Sequence, residues 1–230
     1  MSEPKPSEPR RLYQQIADRI KDLIARGAFQ AGDRLPAERE LAVLLGVSRP
    51  SVREALIALD VQGNVEIRGG SGVYVSPQPE PAAARATPAL GDSPRELMQA
   101  RAALEGAVMI LACAHGTARQ LKQLRSIVTH MREETPGKRA PLELDRRFHM
   151  TLAQMGGNSV IARVIAGLFD ERHSPISATL SSKYENARTW KAALDEHEAI
   201  LRALEARDPI AAQAAMLSHL RASELRWVGD

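Results

Sequence analysis

The segment GVSRPSVREALIALDVQG, residues 46–63, constrains the fold more than any other stretch of the chain. Gly46 is a stop signal for the apolar helical pattern before it, PAERELAVLLG, in which Pro36 is expected in the opening turn. Ser48 then offers a hydroxyl N-cap, and Pro50 falls where a first helical turn tolerates it. Immediately afterwards the apolar period changes from 3.6 to 2. The residues NVEIRGGSGVYV alternate on either side of a glycine-rich turn, which is the pattern of a β-hairpin. A further helix precedes all of this: in RLYQQIADRIKDLIARGAF, residues Leu12, Ile16, Ile20, Leu23 and Ile24 recur at three- and four-residue spacing.

Three helices followed by a hairpin form a winged helix-turn-helix. Its second and third helices flank a short turn, with Leu41, Leu44 and Leu45 expected to pack on Val52, Leu56 and Leu59. The first turn of the third helix then projects Ser48, Arg49, Ser51 and Arg53, the position from which a recognition helix reads duplex DNA. Either arginine has the fork that pairs with a guanine edge. The tip Arg68-Gly69-Gly70-Ser71-Gly72 is small enough to follow a phosphate backbone or enter a minor groove. Composition agrees with duplex rather than single-stranded partners: aromatic residues are 3% of the chain, too few for a base-stacking surface. A net charge of +3 permits a nucleic-acid partner without requiring one, so local placement has to supply the contact.

The chain has 230 residues, room for two modest domains, and a proline-bearing stretch near residues 76–94 divides it. The expected organisation is a disordered tail over 1–9, the winged helix over 10–76, a linker over 77–93 and a second domain over 94–230. The fold class is mainly α, with a small β wing in the first domain and an all-helical second domain of six or seven helices. No apolar run is read as a membrane span, and the amino terminus lacks the apolar core of a signal peptide, so a cytoplasmic location is expected. The single cysteine, Cys113, sits among apolar neighbours and reads as a buried small hydrophobe.

Four side chains of the second half carry possible chemistry. In ELDRRFHM, Asp145 and His149 are four residues apart and share a helical face. His197, in LDEHEAIL, and His219, in MLSHLRAS, also lie beside apolar helix positions. Imidazole with carboxylate suits zinc, nickel, manganese or iron better than calcium or magnesium. Taken one at a time, each is more often an ordinary helical polar group than a ligand. The other histidines, His115, His130 and His173, fall near helix ends or at the HSPIS break and fit no ligand pattern.

The segment from RLYQQIADRI to GSGVYV resembles the winged-helix domain of GntR-type bacterial transcription regulators. The resemblance is carried by the approach GDRLPAERELA, by GVSRPSVREAL and by the glycine-rich wing. It implies DNA contacts from Arg39, Ser48, Arg49, Ser51 and Arg53, with Gly69 and Gly70 at the wing tip. Pro50 stands where relatives often carry a hydroxyl, so one phosphate contact is expected to be missing. In the second half, LMQARAALE, then DRRFH, then two later helical histidines resemble the FCD ligand-binding domain of the FadR-type branch. That resemblance implies a divalent transition metal, zinc first, held by Asp145, His149, His197 and His219. It also implies a small carboxylate effector, from the hydroxy acids, sugar acids and dicarboxylates, with hexuronate-like acids suggested by the SPIS segment. Arg101 resembles the family's anion-binding arginine, although an intrahelical pair with Glu105 is an equal claim on it. The function expected is that of a homodimeric regulator, a repressor, on a palindromic operator, with no catalytic residues. The alternatives are a metal-dependent hydrolase fused to a DNA-binding domain, and a regulator whose metal is purely structural.

Overall fold

The computed structural model describes residues 11–77, 90–134 and 140–228. It divides into two compact units at Ser93/Pro94. The tail expected over 1–9 and most of the expected linker lie outside the described residues.

The first unit contains α1 (Leu12–Ala25), α2 (Glu38–Leu45), α3 (Arg49–Val61) and the hairpin β1 (Val65–Arg68) and β2 (Gly72–Val75). The strands pair antiparallel, Val65 opposite Val75 and Arg68 opposite Gly72. Helix α2 stops because Gly46 takes the left-handed conformation, φ 66°, which glycine adopts without steric cost. Helix α3 starts where the Ser48 hydroxyl accepts from the Ser51 amide. Ile16, Ile20, Leu41, Leu45, Val52, Leu56 and Leu59 form one buried cluster with Val65 and Val75 of the hairpin.

Several expectations shift. Leu44 is exposed and does not join that core, because an eight-residue helix can turn only one stripe inward and Leu41, Ala42 and Leu45 fill it. Leu12 is exposed and Tyr13 takes the buried place at the start of α1, its hydroxyl donating to the Gly91 carbonyl at 2.8 Å. Pro36 precedes the Ala37 N-cap and so lies just outside α2. The wing is broader than a hairpin. Leu35 donates to Val73 (2.8 Å) and Val75 to Asp33 (2.9 Å), so residues before α2 add a short third edge. The last residues before the second unit are packed: Leu90 is buried, and Ser93 donates to the buried Glu54 at 2.9 and 3.0 Å.

The second unit holds seven α-helices among its described residues: α4 (Pro94–His115), α5 (Ala118–Glu133), α6 (Ala140–Met155), α7 (Ser159–Asp170), α8 (Pro175–Tyr184), α9 (Ala187–Glu205) and α10 (Pro209–Val228). A single 3-10 turn, Glu171–His173, joins α7 to α8. Caps explain the boundaries: Thr117, Asn158 and Asn186 each accept backbone amides at the starts of α5, α7 and α9. Helix α10 lies against α4 and α9, while α6 lies against α4, α5 and α7. Met109, Leu124, Phe148, Leu152, Ile200, Leu204, Met216 and Leu220 build the main core, and Cys113 is buried within it.

Helix α4 corrects one expectation. Its length and composition are sufficient to cross a membrane, which the sequence reading had not anticipated. Half of that apolar window is buried, including Val108, Met109 and Ala112, as in the core helix of a bundle.

Candidate functional site

In the winged unit, Arg39, Ser48 and Arg49 are exposed at the open face of the helix-turn-helix, and Gly69 and Gly70 are exposed at the hairpin tip. Ser51 is buried and shares a 2.8 Å hydrogen bond with the Ser48 hydroxyl, so the pair serves the helix start. Arg53 closes its fork on Glu38, at 2.9 Å from Nε and 2.7 Å from Nη2. Arg53 is thus committed to α2 through Nε and Nη2, while Arg49 is exposed.

In the helical unit, α6 carries Asp145 and His149 on one face, α9 brings His197, and α10 brings His219. All four are buried, and one donor atom from each lies within 4.8 Å of every other. His197 Nε2 stands 3.2 Å from Asp145 Oδ1 and 3.3 Å from His149 Nε2, and Asp145 Oδ1 is 3.6 Å from His149 Nε2. Metal–nitrogen bonds of 2.0–2.1 Å in a tetrahedron place neighbouring donors about 3.3 Å apart, so this donor set fits a small transition-metal ion. Phe148 is fully buried beneath the cluster, its ring centroid 4.6 Å from that of His197.

Electrostatics favour the donor forms of three of the four residues. Burial opposes ionisation of Asp145, but hydrogen bonds from His149 and His197 and the charge of Arg172 hold it well below the ordinary carboxylate range. Burial lowers His197 and drives His219 down to about 3, the neighbouring His197 adding to the second effect. These two rings are neutral imidazoles with lone pairs to offer. His149 goes the other way: burial resists its charge, and Glu105 outweighs that and raises it.

Beside the cluster is a cavity of about 530 Å³. Asp145 and His219 reach its wall, as do Arg101, Arg172, Arg226 and Trp227. Arg101 makes the intrahelical pair with Glu105. Its Nε donates to Glu105 at 2.7 Å, while its buried Nη2 has no partner among the described residues. Arg172 Nη1 holds Asp145 Oδ2 at 2.5 Å and leaves a buried, unpartnered Nε. Aromatic faces fix both guanidinium groups: Arg101 lies 3.9 Å over Phe169, and Arg172 lies 4.5 Å over Trp227. An orphaned buried donor costs about 1–3 kcal/mol, and both of these belong to side chains that line the cavity. Ser181, Ser182 and Thr189 line the same space. Sequence reasoning missed Arg172 and Arg226. It also set aside His173, which lines the cavity although it is no ligand.

A winged helix-turn-helix joined in one chain to a helical bundle with an acceptor-seeking cavity defines a DNA-binding regulator with a ligand-binding domain. The comparisons agree. The family described as bacterial regulatory proteins, gntR family, matches residues 12–75, and the FCD domain matches residues 96–222. The Exu regulon transcriptional regulator of Escherichia coli K12 is 37% identical over 95% of this chain and 85% of its own length. The Uxu operon transcriptional regulator of the same organism is 34% identical over 91% and 84%. A GntR-family regulator from Pseudomonas syringae shares the fold, with a TM-score of 0.51 at 23% identity over 94% of this chain and 84% of that one. The chain belongs to the gntR family of bacterial transcription regulators, in the branch that carries an FCD domain.

Proposed function

We propose that this regulator senses a small sugar acid at a metal centre formed by Asp145, His149, His197 and His219. The observation that carries the reading is the convergence of four buried donor atoms beside two guanidinium groups with unsatisfied N–H donors. Bound among these donors, a divalent ion, zinc before nickel, manganese or iron, supplies positive charge and coordination positions for acid oxygens. Arg101 Nη2 and Arg172 Nε then donate to the acid's carboxylate, and the hydroxyls of Ser181, Ser182 and Thr189 suit a polyhydroxylated body. The likeness to transcriptional regulators of the Exu regulon and the Uxu operon supports a regulator that responds to a small metabolite.

The protein acts as a homodimeric repressor in the cytoplasm. A two-fold dimer presents two recognition helices to a palindromic operator, and Arg49 and Arg39 with the wing glycines Gly69 and Gly70 make the contacts. An acid that binds one arrangement of the domains better than the other shifts the dimer off its operator by that differential affinity. A thermal-shift screen of sugar acids, with and without chelator, tests the reading. Stabilisation by an acid only in the presence of metal is the result expected. An acid that stabilises equally after chelation would overturn it.

A further inference from the structure

Two of the three histidines are backed in the same way. His149 Nδ1 is in a short hydrogen bond with Glu105 Oε2, and the other oxygen of that carboxylate accepts from Arg101 Nε at 2.7 Å. His219 Nδ1 is 2.8 Å from Glu196 Oε2, and Glu196 accepts both Arg226 terminal nitrogens, at 2.7 and 2.9 Å. Arg101 and Arg226 both line the cavity. His197 lacks such support: its buried Nδ1 has no partner among the described residues. Each glutamate thus stands between one imidazole of the donor cluster and one cavity guanidinium, and neither glutamate points at the cluster's centre.

We propose that Glu105 and Glu196 are positioning residues that couple the donor cluster to two cavity arginines, Arg101 and Arg226. The inference rests on the metal-and-acid reading above. A carboxylate that accepts from Nδ1 fixes the ring's tautomer and aims Nε2 at the centre, which is what a metal ligand requires. Holding the imidazole orders the carboxylate, and the ordered carboxylate anchors the guanidinium. An acid that engages Arg101 or Arg226 stiffens the same chain of contacts from its other end. By linkage, metal tightens acid binding by the factor by which acid tightens metal binding. The two relays lie on different helices, Glu105 on α4 and Glu196 on α9, so they bracket the cavity from separate directions.

Glutamine in place of Glu105 turns one of its two oxygens into an NH2 donor, so either His149 or Arg101 loses its acceptor. Glu196→Gln removes the charge and at least one Arg226 contact, since Oε2 alone meets both His219 Nδ1 and Arg226 Nη2. The test uses full-length protein, zinc as the metal and D-glucuronate as the acid. Zinc affinity is measured by competition with a chromophoric chelator, and glucuronate affinity is measured on zinc-free and zinc-saturated protein. Glu196→Gln is expected to weaken zinc by roughly 10–100-fold and to lose most of the zinc enhancement of glucuronate binding. Glu105→Gln is expected to do the same. Because Glu105 is deeply buried, Glu196→Gln carries the test if that variant fails to fold. Glu198→Gln, also on α9 but paired with the exposed Arg132, is the control and stays within about 2-fold of wild type. Wild-type protein that binds no zinc, or whose glucuronate affinity ignores zinc, overturns the underlying reading and the relay with it. Wild-type coupling that survives intact in Glu196→Gln overturns the relay alone.

Discussion

Acidification separates the metal-stripped helical domain from a version lacking His219. Burial drives His219 down to about 3, and the pairing with Glu196 that would raise it is outweighed. The unfolded chain binds a proton there near pH 6.5 while the folded one does not, so stability is lost as pH falls from 6.5 towards 3. At pH 5 the gap spans about 1.5 pH units, worth about 2 kcal/mol. Glu105 and Glu196, each held down to about 2, lose their contributions only as pH falls below about 4.5, so they do not enter a comparison between pH 7 and pH 5. His149, which is raised, gains stability on acidification, and His197, which is lowered, loses it. Both are present with and without His219, but each couples to it electrostatically, so their contributions cancel only in part. His219→Asn keeps a donor towards Glu196 and removes the titration. Urea unfolding at pH 7 and pH 5 should show wild type losing about 2 kcal/mol more than His219→Asn. The fluorescence of Trp190 and Trp227, the chain's two tryptophans, reports this unit by itself. Equal losses in the two proteins would refute the neutral, buried state assigned to His219.

Other outcomes follow from the same geometry. Phe148→Ala, at a fully buried ring against His197, should cost about 3–5 kcal/mol by urea unfolding and weaken zinc binding measured by competition. Gly72→Ala imposes φ +121° on an L residue and sets a methyl 2.6 Å from Arg34 Nε. It should distort the wing at a cost of about 1–3 kcal/mol, weakening operator binding in a gel shift while tryptophan-detected unfolding is unchanged. Arg49→Ala should lose about 1–3 kcal/mol of operator affinity and relax discrimination at one base position, read by anisotropy across single-base operator variants.

Much of this was legible along the chain because the relevant signals are local. The switch from helical to alternating period at residue 63 announces the wing, and the four-residue spacing of Asp145 and His149 places both on one face. What escaped depends on contacts between distant segments. Glu105 reaches a histidine 44 residues away, and Arg226 reaches Glu196 across 30, so neither pairing has any spacing to betray it. Glutamates and arginines on helices are ordinarily solvated, and nothing local distinguishes the buried Glu105 or the half-buried Glu196 and Arg226. Leu44 and Leu12 were misplaced for a related reason: a short helix offers more apolar positions than its neighbours can cover. The edge formed by residues 33–35 was invisible because it is too short to alternate.

The central claim is that an acid held at the Asp145–His149–His197–His219 centre controls the grip on DNA. The most direct measurement is operator affinity by fluorescence anisotropy, with zinc present, titrating D-glucuronate into wild type and Asp145→Asn. Glucuronate is expected to weaken operator binding by wild type and to leave Asp145→Asn on the operator. An operator affinity that ignores the acid in wild type, or falls equally in both proteins, would contradict it.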